Sequence, residues 1–164
     1  MNHPQNIQDQ VETLIIFSHG KESGPSGQKI KTLSEIGQNF GAQVLSIDYT
    51  DLPNVSNRIN RLLQTNLPSH KRLILVGSSM GAYVSIIASR QLQPSGIFLM
   101  APAVGITDYP ELMPIPHMCF IEAVMGWQDE FVYVTRVFEW ALQHNANLAM
   151  RSNNRDEQSP SRQP

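Results

Sequence analysis

The sequence has 164 residues, which is long enough for one domain with a core of its own. Hydrophobic residues make up 41% of it, charged residues 16%, and the formal net charge is −2, so the composition excludes wholesale disorder and gives no sign of a nucleic-acid surface. The single cysteine, Cys119, excludes an internal disulfide framework and a multi-thiolate zinc site, and no apolar run approaches the roughly 18 residues of a membrane span.

Short apolar runs alternate with helical patterns along most of the chain. Most of these runs are continuous, which is typical of strands buried on both faces of a sheet. The predicted elements, in chain order, are strand 13–18, helix 28–40, strand 44–49, helix 55–66, strand 73–77, helix 80–92, strand 97–101, strand 120–125, helix 131–144 and a weaker strand 147–150. Gly41 is the predicted C-cap of the first helix. The alternation predicts a three-layer α/β/α fold with a doubly wound, mostly parallel six-stranded sheet.

Two segments depart from this alternation. Residues 102–117 contain four prolines and no long helical pattern, so we expect a short lid loop over the carboxyl edge of the sheet, with one helical turn at 108–112. Residues 151–164 contain no apolar residue other than proline, and we expect a disordered tail after a single domain that spans 1–150. The polar first residues lack an apolar signal core, which favours a cytoplasmic protein.

The strongest motif is Gly77-Ser78-Ser79-Met80-Gly81, which follows the third predicted strand and leads into a helix. This is G-x-S-x-G in a strand–turn–helix context, the pattern of a nucleophile elbow. A sharp turn would lift the Ser79 hydroxyl above the sheet, and the helix N-terminus would offer free N–H groups to a developing oxyanion. The alternative is a turn of small residues that only permits tight packing.

The loop after the first strand reads His19-Gly20-Lys21 and continues with further glycines. Neither G-x-x-x-x-G-K-[ST] nor G-x-G-x-x-G is present, so a nucleotide site is disfavoured. The better interpretation is the second half of an oxyanion hole, in which the backbone N–H of Lys21 pairs with that of Met80.

The turn after the fifth strand carries a carboxylate, Asp129, within Gly126-Trp127-Gln128-Asp129-Glu130. It would stand at the same edge as the serine and could orient a histidine through its Nδ1–H. The alternative is that Asp129 caps the helix predicted to begin at residue 131.

The three motifs, in this order, resemble those of the small bacterial α/β-hydrolases of the esterase type, over residues 11 to 155. The resemblance implies a minimal α/β-hydrolase fold, Ser79 as nucleophile, Asp129 as acid, and backbone N–H groups of Lys21 and Met80 as the oxyanion hole. Such hydrolases carry their histidine just after the last strand. Here Asn154 occupies that position, and an asparagine amide cannot take up the serine proton.

The other histidines are candidates to replace the missing base. The topology places His70, His117 and His144 at the edge opposite the active one, and His3 cannot be placed. His19 alone lies at the correct edge, where the resemblance makes it part of the loop that shapes the oxyanion hole.

Two functions from different classes follow. The first is a serine hydrolase that cleaves an ester or thioester of a small acyl substrate, with His19, Gly20, Tyr109 and Trp127 as candidates to line its cleft. The second is a catalytically impaired relative that binds a ligand or a protein, because the base is missing. Neither needs a cofactor or a metal, and we expect neither nucleic acid nor membrane as a partner. A third interpretation concerns the chain itself: an altered end after residue 150 would leave an uncovered apolar patch on the final strand's side.

Overall fold

The computed structural model describes residues 10–130 and 132–152, and within these ranges six strands form one all-parallel sheet. The strands follow the spatial order β2-β1-β3-β4-β5-β6. The elements are β1 (Val11–Ser18), α1 (Gln28–Asn39), β2 (Gln43–Ile47), α2 (Val55–Gln64), β3 (His70–Ser78), α3 (Met80–Leu92), β4 (Gly96–Met100), β5 (Phe120–Gly126), α4 (Val134–Gln143) and β6 (Asn147–Arg151). The three-layer, doubly wound prediction is confirmed.

The cap of α1 is the one that the sequence indicated. Gly41 has φ of +79°, a backbone conformation that favours glycine. Its N–H donates to Gln38 O at 2.9 Å, and the N–H of Ala42 donates to Gly37 O at 3.0 Å. This pair of bonds is a Schellman motif, which satisfies carbonyl groups at the helix end and turns the chain into β2.

The helices divide unevenly between the two faces of the sheet. Buried side chains of α2, α3 and α4 share one large core with one face of the strands. On the other face, Ile30 of α1 packs with Phe17 of β1 and Val76 of β3 in a much smaller cluster. Among the residues described, α1 is the only helix on that second face. An apolar groove of about 790 Å³ lies beside it, lined by residues such as Phe40, Phe98 and Phe120.

The predicted loop between β4 and β5 contains no helix, and the helical turn expected at 108–112 is also absent. Instead, Tyr109 N–H donates to Ile106 O at 3.1 Å in a turn, and Pro110 has no N–H with which to continue it.

The same loop is bound to α3 and α4. On α3, Arg90 pairs with the carboxylate of Glu111 at 2.6 Å, and Ser89 Oγ accepts from the backbone N–H of His117 at 2.8 Å. On α4, Trp140 Nε1 donates to Pro114 O at 2.7 Å. The loop that connects β4 to β5 is therefore packed against α3 and α4, and its role as a lid stays a prediction.

The strand order creates a crevice at the carboxyl edge. From β1 the chain crosses to β2 on one side and then returns to β3 on the other side. The loops that leave β1 and β3 therefore diverge at this switch point, where ligands bind in open α/β sheets. Ser79 and the segment 19–21 lie in these two loops. Within the described ranges, no helix has both the length and the apolar character that crossing a membrane requires.

Candidate active site

Ser79 stands alone between β3 and α3, with φ of 53° and ψ of −118°. A residue other than glycine seldom adopts a positive φ, so the backbone is strained at this point. Two bonds hold the turn: Ser79 N–H donates to Met100 O at 2.9 Å, and Ser79 O accepts from Ala82 N–H at 3.0 Å. The strand therefore reverses into the helix within one residue, which is the geometry of a nucleophile elbow.

The two glycines of the motif allow α3 to lie directly on the sheet. A Cβ on Gly77 would come within 2.5 Å of Ala82 Cα and Gly81 O. A Cβ on Gly81 would overlap the backbone of Ser18 at the end of β1. Any side chain at either position would therefore push the first turn of α3, and Ser79 with it, away from β1 and β3.

The loop after β1 lies against the serine. A Cβ placed on Gly20 would be 3.5 Å from Ser79 Cβ and 3.4 Å from Ser78 O. Lys21 N–H follows in the next peptide, and Met80 N–H is the first N–H of α3, where the helix itself provides no acceptor. Neither N–H has a backbone acceptor in the described part of the chain. The two groups proposed for the oxyanion hole thus belong to the two segments that meet at Ser79.

His19 is fully buried, so its ring does not line an open cleft. Its Nε2 accepts from Tyr49 N–H at 2.9 Å, which leaves Nδ1 to donate to Gly20 O at 2.7 Å. Burial lowers the pKa of His19 below its usual value. Both ring nitrogens are occupied by the backbone, so the interpretation of His19 as a substitute base loses its support, while a role in shaping the loop gains support.

Arg58 of α2 is a residue that the sequence analysis missed. Its side chain is buried, and its guanidinium donates to backbone oxygens of both neighbouring loops: Nε to Leu52 O at 2.6 Å, and Nη1 to His19 O and Gly20 O at 3.3 Å each. A signal was present, because position 58 lies on the apolar stripe of α2 together with Val55, Ile59 and Leu62.

Asp129 lies in the turn that follows β5, at the carboxyl edge of the sheet. Its Oδ1 accepts from Val132 N–H at 2.9 Å. It does not cap a helix beginning at residue 131, which is outside the described ranges, because α4 begins at Val134 after Tyr133 as N-cap. Trp127, in the same turn, is 61% exposed, and its backbone N–H donates to Arg151 O at 3.1 Å. That bond brings the end of β6 beside the turn that carries Asp129.

The remaining described histidines lie away from this edge. His70 begins β3 and its Nδ1 donates to Pro68 O at 2.7 Å, whereas His117 precedes β5. His144 follows α4, with its ring 5.2 Å from that of Trp140. In residues 10–130 and 132–152, the structure therefore offers no imidazole with a free nitrogen at the carboxyl edge. Asn154 and His3 lie outside the described residues.

The side chain of Tyr109, a predicted cleft residue, is half-buried. Its ring packs edge-on against Tyr83, one turn along α3 from Ser79, with centroids 4.7 Å apart. Burial raises the pKa of the Tyr109 hydroxyl, and the nearby Arg58 guanidinium opposes that effect. Within the described ranges, no three His, Cys, Asp or Glu side chains come together in a way that could hold a metal ion.

Comparison with known proteins gives matches at the level of structure. No family model matches the sequence, and neither does any curated protein sequence. The structure is similar to that of a protein from Xanthomonas campestris pv. campestris assigned to the α/β hydrolase superfamily, with 28% identity, a TM-score of 0.75 and 87% of each chain covered.

Two further neighbours share the fold at lower identity. Est1E from Butyrivibrio proteoclasticus, solved with ferulic acid bound, is 15% identical, with a TM-score of 0.69 over 92% of this chain and 83% of that one. A second Xanthomonas campestris protein, described as an α/β serine hydrolase without a lid, is 22% identical, with a TM-score of 0.60 over 92% of this chain and 75% of that one.

Proposed function

Because the chain belongs to the α/β-hydrolase superfamily, we propose that it is a serine hydrolase that cleaves an ester or thioester of a small acyl substrate. The observation that carries the proposal is the backbone of Ser79, which is strained into an elbow at the N-terminus of α3 and at the switch point of the sheet. Strain of this kind persists only where the surrounding structure enforces it, and it is concentrated at functional sites.

The reaction would proceed through an acyl-enzyme. Ser79 Oγ forms a bond to the acyl carbonyl carbon as its proton passes to a base, and the carbonyl electron pair moves to oxygen. The N–H groups of Met80 and Lys21 would stabilise that oxyanion. Collapse of the intermediate breaks the bond to the alcohol or thiol, which leaves with a proton. Water then attacks the acyl-serine in the same way and releases the acid.

Asp129 is the proposed orienting carboxylate. It lies in the turn beside the end of β6, after which a base would be expected in this fold. A carboxylate in this position holds an imidazole in the correct tautomer through its Nδ1–H. Because the described residues provide no imidazole with a free nitrogen at this edge, the proposal assigns no residue as the base.

A second candidate function is a binding protein that keeps the fold without the catalysis. It is favoured by the occupied nitrogens of His19 and by the asparagine at position 154. Loss of one triad member costs about 10⁴- to 10⁶-fold in rate, which would leave only the contribution of the oxyanion hole and of substrate binding.

The first experiment measures hydrolysis of p-nitrophenyl acetate and of a short acyl thioester. We expect turnover by the wild-type chain that is lost in Ser79→Ala. The matched control is Ser78→Ala, which removes the neighbouring hydroxyl from the end of β3 and should leave turnover within about twofold, since most substitutions away from special features have small effects. Equal turnover in wild type and Ser79→Ala would refute the assignment of the nucleophile.

The second experiment separates the two candidate functions. Asn154→His places an imidazole where the resemblance expects one. If hydrolysis appears only in this variant, the natural chain is the impaired relative. If the natural chain already hydrolyses the esters through Ser79, the binding-only function is excluded.

A further inference from the structure

Arg58 is a buried cation without a carboxylate partner. Its side chain is only 1% exposed, and in the described part of the chain no Asp or Glu lies within ion-pair distance of it. Its charge faces three backbone oxygens and the ring of Tyr49, whose centroid is 5.5 Å from Cζ. Burial lowers the pKa of the guanidinium. Burying a charge costs free energy unless the group is fully hydrogen-bonded, so the burial of Arg58 needs a physical reason.

The oxygens that Arg58 holds are part of the oxyanion loop. Gly20 O accepts from Arg58 Nη1 at 3.3 Å and from His19 Nδ1 at 2.7 Å. The same peptide unit carries the N–H of Lys21. It is trans, because the described residues include no cis peptide. In a trans peptide the C=O and the N–H point in opposite directions, so donors that fix the oxygen also fix the direction of the N–H.

We propose that Arg58 is a positioning residue that, together with His19, holds the Gly20–Lys21 peptide with its N–H directed into the site beside Ser79. The bond from Arg58 Nε to Leu52 O ties this loop to the one that follows β2, so α2 clamps both. Hydrogen bonds to a carbonyl also polarise the peptide and strengthen its N–H as a donor. This inference rests on the proposed serine hydrolase function, in which the Lys21 N–H stabilises the oxyanion.

The kinetic test compares Arg58→Met, Arg58→Lys and the control Arg61→Met, all in the full chain. Removal of an oxyanion donor costs about 10²- to 10³-fold in kcat, and a misdirected donor should cost less. We expect kcat for p-nitrophenyl acetate to fall about 10- to 100-fold in Arg58→Met, with KM within about threefold, and to recover in part in Arg58→Lys. Arg61 lies on the same helix, where it pairs with Asp51 and donates to Asp48 O at 2.7 Å, but among the described residues it has no hydrogen bond to the segment 19–21, so Arg61→Met should keep the wild-type kcat.

The spectroscopic test does not depend on turnover. In Arg58→Met, the Gly20 carbonyl ¹³C resonance should move upfield and the Lys21 amide resonance should shift, whereas Arg61→Met should leave both in place. If the wild-type chain neither hydrolyses esters nor reacts with a fluorophosphonate, the proposed function is refuted. The Gly20 carbonyl resonance would still test whether Arg58 holds the Gly20–Lys21 peptide. If Arg58→Met does not fold, both measurements are made on Arg58→Lys instead. The inference is overturned if the variants that fold keep both the wild-type kcat and the wild-type Gly20 resonance.

Discussion

Gly81 is the residue at which the first turn of α3 meets the end of β1. A Cβ at this position would overlap the Ser18 backbone, which has no freedom to move because it belongs to a strand paired on both sides. We expect Gly81→Ala to lower the free energy of unfolding by about 1–3 kcal/mol, as overpacking does, and to displace Ser79. Urea unfolding followed by circular dichroism measures the first effect.

The matched control for this substitution is Gly24→Ala. A Cβ on Gly24 would lie 3.7 Å from Thr50 Cγ2, an ordinary contact, and the glycine has no positive φ. Its free energy of unfolding should stay within about 0.5 kcal/mol of the wild type. Equal losses in the two variants would show that close packing of α3 on β1 is not the cause.

The buried His19 makes stability depend on pH. Its pKa is lowered by burial, so between that value and its ordinary value of 6.5 the unfolded chain binds a proton that the folded chain does not. The contribution of neutral His19 to the free energy of unfolding is therefore fully present above pH 6.5. It is lost as the pH falls from 6.5 through the lowered pKa of the folded state. His144, whose pKa burial also lowers, acts in the same direction.

Urea unfolding at pH 7.5 and pH 5.5 measures this dependence. The wild type should be less stable at pH 5.5, and the difference should shrink in His19→Asn and again when His144→Asn is added. The carboxylates with lowered pKa, such as Asp48, have ordinary values well below this range and do not contribute there. Stability that is unchanged or higher at pH 5.5 would contradict the neutral, buried state of His19.

The sequence allowed Ser79 to be predicted as the candidate nucleophile because its motif has fixed spacing and a strand–helix context. Arg58 was missed because arginine on a helix is ordinarily solvated, and only its place on the apolar stripe indicated burial. The roles of His19 depend on contacts with Tyr49, 30 residues away in the chain, which local patterns do not report.

At the scale of elements, the six strands and four helices of the described ranges were predictable from hydrophobic runs and periodicity. α3 has the predicted bounds, because the positive φ of Ser79 and the left-handed conformation of Gln93 delimit it. α4 begins later than predicted, at Val134, because Asp129 bonds to Val132 N–H in a turn and leaves Tyr133 as N-cap. Side chains that can cap a helix also stabilise turns, so such signals place helix ends only within a few residues.

The N-cap of α2 gives an element-scale prediction. Asn54 Oδ1 accepts from Ser56 N–H at 2.8 Å and from Asn57 N–H at 3.3 Å. Asn54→Ala should lower the free energy of unfolding by about 1 kcal/mol, because two N–H groups of the first turn lose their acceptor. Asn60→Ala, at an exposed site within the same helix, is the control and should cost nothing, since alanine is the better helix former. Thermal unfolding of the wild type and both variants measures these effects. An equal loss of stability in the two variants would show that the loss does not come from the N-cap.

At the scale of the whole molecule, the two faces of the sheet differ. On the face that carries α1, the described residues form a groove of about 790 Å³ whose lining is mainly apolar. We expect the native protein to bind 1-anilinonaphthalene-8-sulfonate without unfolding, because exposed apolar patches of this size bind such dyes. Fluorescence titration at 25 °C measures this binding.

A substitution at Phe40 tests whether the dye binds in this groove. It lines the groove and is 88% exposed, so Phe40→Ser should weaken dye binding without lowering Tm. Phe138 is 54% exposed on α4, the helix that packs on the opposite face of the sheet, and Phe138→Ser should leave dye binding unchanged. Absence of dye binding by the native chain, or an equal reduction in both variants, would contradict an open apolar face.

The most direct measurement is covalent labelling of the native chain by a fluorophosphonate, with the labelled peptide identified by mass spectrometry. The elbow geometry and the adjacent N–H groups predict one modified residue, Ser79, and no labelling in Ser79→Ala, while Ser78→Ala labels like the wild type. Labelling of wild type and Ser79→Ala to the same extent, or modification mapped to another residue, would contradict the assignment of Ser79 as the nucleophile.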